Sequence, residues 1–207
     1  SCEYCNSFLS FYPTVAVILN VEADHLDFFK DLEDIKRSFR RFAELVPSTG
    51  SVIVNADNEG ARSVAQGLNA FTFGLEPGAA CTAVNLREEK GRPVFDIHVH
   101  GQFYAHAELK VYGRHNVSNA LAAASAAYVL GLPGEAVEKG LGSFTGAGRR
   151  FEYKGTYNGA EIYDDYAHHP DELHALLTTA KGLGYRRLIV AFQPHTYSRT
   201  AKLFDRF

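Results

Sequence analysis

The sequence predicts an α/β fold, a parallel sheet that carries a small antiparallel flap, followed by part of a second α/β domain. Three observations predict it. β-branched apolar runs alternate with stretches of helical periodicity, the segment Cys81 to Leu109 switches to a period of two, and the pattern restarts after a glycine-rich stretch, Gly142 to Gly148.

In chain order, Thr14 to Val21 is a nearly unbroken aliphatic run, the pattern of a strand buried on both faces of a parallel sheet. From Asp31 to Leu45 the residues Leu32, Ile35, Phe39, Phe42 and Leu45 recur at spacings of three and four and give a helix with one apolar stripe. Ser51 to Val54 predicts a second strand, Ala61 to Gly67 a short helix and Ala70 to Phe73 a third strand. Between Cys81 and Leu109, Val94, Asp96 and His98 alternate with Phe95, Ile97 and Val99, and Gly101 supplies a hairpin turn. Val117 to Leu130 is an Ala-rich helix closed by Gly131, and Gly134 to Gly140 a further short one. The domain boundary is placed at 147/148. Beyond it, Phe151 to Tyr166 reads as strands broken at Tyr157-Asn158-Gly159, Pro170 starts a helix to about Lys181, and Arg187 to Phe192 reads as another buried strand.

Composition narrows the function classes. At 46% hydrophobic residues a 207-residue chain can bury a substantial core. A net charge of -3 from 21 basic and 24 acidic residues offers no basic field for nucleic acid or an anionic membrane surface. No apolar run is long enough to span a bilayer, so neither partner is expected and a cytoplasmic setting is the default. Cys2 and Cys5 form a lone C-x-x-C with Cys81 far away, which fits neither a disulfide framework nor a four-ligand zinc site. Reduced thiols are expected. The absence of an initiating Met predicts that the chain is cut from something longer.

Polar clusters follow the apolar runs. Asn20-Val21-Glu22-Ala23-Asp24-His25-Leu26-Asp27 sits at the C-terminal edge of the first strand, where open α/β sheets bind ligands. As a plain helix cap it would not need four polar groups. Gly113-Arg114-His115-Asn116-Val117-Ser118-Asn119 brings two basic groups and two amides to a helix N-terminus, suited to an anion or a purine edge, although Asn116 as an N-cap also explains it. Arg149-Arg150-Phe151-Glu152 and Asp164-Asp165-Tyr166-Ala167-His168-His169-Pro170 open the second domain, and His195-Thr196-Tyr197-Ser198-Arg199-Thr200 follows the last apolar run. Adjacent His168 and His169 point to different sides and do not make a zinc site alone.

Together, CEYCNSFLSFYPT, NVEADHLDFF, GRHNVSNALAA, GRRFE, DDYAHHP and QPHTYSRT, in this order, resemble the Mur ligases over essentially the whole chain. The resemblance implies an ATP-binding central domain at 1–147, without its P-loop part, and the truncated start of a Rossmann-like C-terminal domain at 148–207. It implies ATP-dependent addition of L-alanine to UDP-N-acetylmuramate through an acyl phosphate in peptidoglycan precursor synthesis, with the tripeptide-recycling ligase and a non-catalytic nucleotide-binding module as alternatives. No G-x-x-x-x-G-K-[ST] motif occurs, so the chain by itself is expected to be inactive. By resemblance, His115, Asn116, Asn119, Arg150 and Asp165 bind ATP. Arg150, Asp165 and His168 are catalytic, Tyr166, His168, His195 and Arg199 bind substrate, and His25, with Glu3 as a weaker second, binds Mg2+. A parallel sheet without its first strand exposes a hydrogen-bonding edge, through which self-association is expected.

Overall fold

The computed structural model describes residues 6–23 and 28–207. Six strands form one sheet in sequence order: β1 (Val15–Ile18), β2 (Ser51–Asn55), β3 (Ala70–Gly74), β4 (Cys81–Glu89), β5 (Arg92–Val99) and β6 (Gln102–Glu108). β1, β2 and β3 pair in parallel, joined by helices α1 (Leu32–Glu44) and α2 (Glu59–Ala65), as β-α-β connections require. β4 meets β3 in parallel only at Phe73↔Cys81 and Gly74↔Thr82, then turns the sheet antiparallel through β5 and β6. The flap is thus continuous with the parallel sheet.

Both faces of β2 are covered. Val52 and Val54 of β2 pack with Ile35 of α1 and Ala61 and Val64 of α2, while Ile53 faces the other way into a cluster with Phe73, Phe95, Ile97 and Leu121. That second face is closed by α3 (Arg114–Val129) and α4 (Gly134–Ser143). Cys81 lies buried in the same cluster, where loss of hydration pushes its thiol up to about 11 and keeps it protonated at neutral pH. Asp31 caps α1 by accepting from Asp34 N–H at 2.9 Å, with Glu33 and Asp34 in the first turn favouring the positive helix end.

Two sequence expectations are corrected. The first strand is not buried on both faces: β1 is an edge strand, buried at Ala16 and Ile18 with Val17 exposed between them, so it alternates as a one-sided strand does. The run Arg187 to Phe192 forms no strand. A strand needs ladder partners, and the only strands of the second unit, β7 (Glu152–Tyr157) and β8 (Ala160–Asp164), pair with each other in a separate antiparallel sheet. Ile189 is accordingly 80% exposed and Val190 54%. The β7–β8 turn is Asn158-Gly159, both at positive φ (48° and 79°), the backbone a two-residue hairpin of right-handed twist demands. Helix α5 (Pro170–Gly182) starts at Pro170 and short α6 (Tyr197–Lys202) follows Thr196.

Candidate active site

The first half of the site is the N-terminus of α3, which begins at Arg114, so Asn116 lies in the first turn and is not its cap. Gly113 precedes it at φ 91°, outside the range of ordinary L residues, and a side chain there would strike Thr179 Oγ1 and the His115 ring. Asn116 Nδ2 donates to Tyr112 O at 2.8 Å and lies 3.2 Å from His115 Nε2, while Asn119 Nδ2 donates to Asn116 Oδ1 at 3.2 Å. An amide NH2 only donates, so His115 Nε2 accepts and Nδ1 carries the ring proton. His115 keeps solvent-accessible surface, yet neighbouring atoms strip enough water to lower its pKa. The charge of Asp165 opposes that shift and that of Arg150 adds to it. Asp165 and Arg150 of the second half thus stand close enough to His115 to act on its charge.

The second half is built by carboxylates on backbone amides. Asp165 accepts from Phe151 N–H through Oδ2 and from Ala167 N–H through Oδ1, both at 2.7 Å, which ties the end of the linker to the exit of β8. Arg149 and Phe151, at φ 56° and 48°, flank Arg150 in left-handed backbone, and Tyr166 N–H donates to Arg149 O at 2.9 Å. Glu172 gathers three groups: Arg150 Nη1 at 3.4 Å, His168 N–H at 2.9 Å and His169 N–H at 3.2 Å. Burial works to raise its pKa, but those two amides and the charges of His168 and Arg150 outweigh it and leave the carboxyl lowered. His168 Nδ1 sits 2.8 Å from Tyr166 O. A carbonyl only accepts, so Nδ1 carries a proton. His169 instead caps α5, its Nδ1 accepting from Asp171 N–H at 3.4 Å, and its buried Nε2 has no partner among the described residues.

An open cleft of about 1040 Å3 runs beside this loop and gathers Asp165, Tyr166, His168 and His195 on its lining. His115, Asn116, Asn119, Arg150 and Arg199 lie outside that lining. His195 is exposed, and its carbonyl accepts from Arg199 Nη1 at 2.8 Å. The expected metal residues His25 and Glu3, like Cys2 and Cys5, lie outside the described residues. Among the described residues no group of three or more His, Cys, Asp or Glu is placed to hold a metal ion. The strand-end loop that leads to His25 is anchored by Asn58, whose Oδ1 accepts from Val21 N–H at 3.2 Å and Ala61 N–H at 2.8 Å and whose Nδ2 donates to Glu22 at 2.6 Å.

The Mur ligase middle domain matches residues 5–127 and the Mur ligase glutamate ligase domain residues 149–207. This chain belongs to the Mur ligase family. Among relatives of this Mur ligase chain are the UDP-N-acetylmuramate--L-alanine ligases of Caldanaerobacter subterraneus subsp. tengcongensis, 46% identical, and Clostridium novyi, 47% identical. Both alignments cover 100% of this chain, which spans about half of each relative: 46% of the first and 45% of the second. A solved UDP-N-acetylmuramate-alanine ligase from Thermotoga maritima superposes with TM-score 0.79 at 29% identity, covering 99% of this chain and 46% of that one. The Neisseria meningitides UDP-N-acetylmuramate:L-alanyl-gamma-D-glutamyl-meso-diaminopimelate ligase reaches TM-score 0.59 at 30% identity over 69% of this chain and 43% of its own.

Sequence reasoning did not single out Glu172, Tyr112 or Asn58 in this Mur ligase. Glu172 had a readable signal, a glutamate at the third position of a helix that Pro170 starts, which with His169 makes a capping box. Asn58 had one as well, an Asn placed to cap α2 by accepting from Ala61 N–H, whereas Tyr112 had none, since its ring meets Arg92 and Phe151, both distant in sequence.

Proposed function

We propose that this chain is the nucleotide-facing central part and the opening of the C-terminal part of an ATP-dependent ligase that joins L-alanine to UDP-N-acetylmuramate. The observation that carries the reading is the 46% identity to a UDP-N-acetylmuramate--L-alanine ligase, aligned over all of this chain. In the proposed reaction a muramoyl carboxylate oxygen attacks the γ-phosphorus of ATP, and ADP leaves. The amine of L-alanine then adds to the acyl carbon, and the tetrahedral intermediate collapses with loss of phosphate, which takes that carboxylate oxygen with it.

Positioning and charge neutralisation supply most of such catalysis. His115, Asn116 and Asn119 at the α3 N-terminus are assigned to the adenine side of ATP, with Arg150 and Asp165 closing over it from the second domain. His168, its Nδ1 held on the Tyr166 carbonyl, is assigned to take through Nε2 the proton that the alanine ammonium must lose before attack. Tyr166 stands beside it, the two rings 5.0 Å apart, and His195 and Arg199 are assigned to the substrate's anionic end. Mg2+ belongs to the same proposal, with His25 and Glu3 as its protein ligands and neutralisation of phosphate charge as its contribution. The domain boundary at 147/148 and a cytoplasmic location are proposed with it. No helix among the described residues is long and apolar enough to cross a membrane.

The test is phosphate release by the full-length protein with UDP-N-acetylmuramate, ATP and either L-alanine or the L-alanyl-γ-D-glutamyl-diaminopimelate tripeptide. Release that requires L-alanine supports the reading. Release with the tripeptide alone replaces it with the recycling ligase, and release with neither removes the ligase reading.

A further inference from the structure

Between the sheet domain and the β7–β8 hairpin runs a short chain of rings. Phe151 stacks on Tyr163 of β8, centroids 4.5 Å apart and planes 15° from parallel. It also meets Tyr112, T-shaped with centroids 5.7 Å apart, in the segment that leads into Gly113 and α3, and Arg92 of β5 lies over the Tyr112 ring at 5.5 Å. The backbone N–H of Phe151 is the one that Asp165 holds, and its chain neighbour is Arg150. One residue thus meets the hairpin and the sheet domain through its ring and the acidic residue of the site through its amide.

We propose that Phe151 is a positioning residue, clamped between Tyr163 and Tyr112 so that Arg150 and Asp165 are held at a fixed offset from the α3 N-terminus. The geometry favours this over simple surface packing. Phe151 keeps left-handed backbone, which a bulky residue holds only where its surroundings fix it, and here the fixing contacts come from both sides of the linker. Edge-to-face and stacked rings are directional, so sliding the hairpin past α3 breaks the arrangement rather than stretching it. The catalytic meaning of the clamp rests on the ligase reading, whereas its existence does not.

Hydrogen–deuterium exchange on the full-length protein tests it, with Phe151→Ala, Tyr112→Ala and the conservative Phe151→Tyr. Phe151→Ala is expected to speed exchange in peptides spanning 110–118, on the far side of the junction, and Tyr112→Ala to speed it in peptides spanning 149–167. Phe151→Tyr should restore both to the wild-type rate. If Phe151→Ala disorders the hairpin itself, Tyr112→Ala still reads the coupling, since the Phe151–Tyr163 stack remains. Changes confined to the substituted side overturn the proposal. Coupled exchange in a protein without ligase activity would leave the clamp standing and remove the ligase reading, and ligase activity without coupled exchange would do the reverse.

Discussion

Replacing Asp165 by Ala should destabilise the second unit strongly, and the size follows from what its carboxylate holds. It accepts two backbone N–H groups, from Phe151 and Ala167, each at 2.7 Å. Hydrogen bonds to a charged acceptor contribute roughly 1.5–3 kcal/mol each, and this carboxylate is half-buried, so water makes good part of the loss and the lower end applies. Two such bonds come to about 3 kcal/mol. Release of the Phe151 amide also leaves left-handed backbone unsupported, a conformation that costs on the order of 1–3 kcal/mol in a non-glycine residue, so part of the loss reappears as disorder of the linker. Asp165→Asn keeps one acceptor oxygen but turns an NH2 group toward the other amide, and should lose most of the same stability. The assay is urea unfolding followed by circular dichroism. A shift under about 0.5 kcal/mol for Asp165→Ala, the range of an ordinary surface change, would mean that the carboxylate does not hold these two amides in place.

Other consequences are separately measurable. Asn58→Ala removes the α2 cap and frees Val21 N–H and Glu22, and should cost about 1–2 kcal/mol in thermal unfolding, with faster amide exchange at residues 20–23. Leu121→Ala, fully buried between sheet and α3, should cost about 2–5 kcal/mol, measured as a lowered urea midpoint. His106 on β6 is raised above 6.5, chiefly by its 2.7 Å hydrogen bond to Asp96, so its stabilisation is complete below the unfolded value and lost as pH rises through the folded one. The melting temperature should therefore fall as pH rises above the ordinary histidine value in wild type, and fall less over the same range in His106→Gln.

Much of the fold was legible because its signals are local. The stripe Leu32, Ile35, Phe39 gives α1, the switch to a period of two gives β5 and β6, and Asn158-Gly159 gives the hairpin turn. Arg187 to Phe192 misled because hydrophobicity marks what can be buried in a sheet, while a strand also needs a partner strand to pair with. The same distinction applies to the site. His115, Arg150, Asp165 and His168 stand in runs of polar residues at element ends and could be picked out by position. Phe151 and Tyr112 read as ordinary aromatics, since the contact joining them spans the linker and depends on backbone at positive φ, which no residue type there announces.

In the proposed reaction the full-length protein activates a carboxylate with ATP before an amine attacks it. The most direct measurement uses UDP-N-acetylmuramate carrying heavy oxygen in its lactyl carboxylate, with ATP, L-alanine and the full-length protein, and reads the phosphate by mass spectrometry. Released phosphate bearing one heavy oxygen atom, formed only when L-alanine is present, is expected. Phosphate without label, or labelled phosphate that does not depend on an amine, would contradict it.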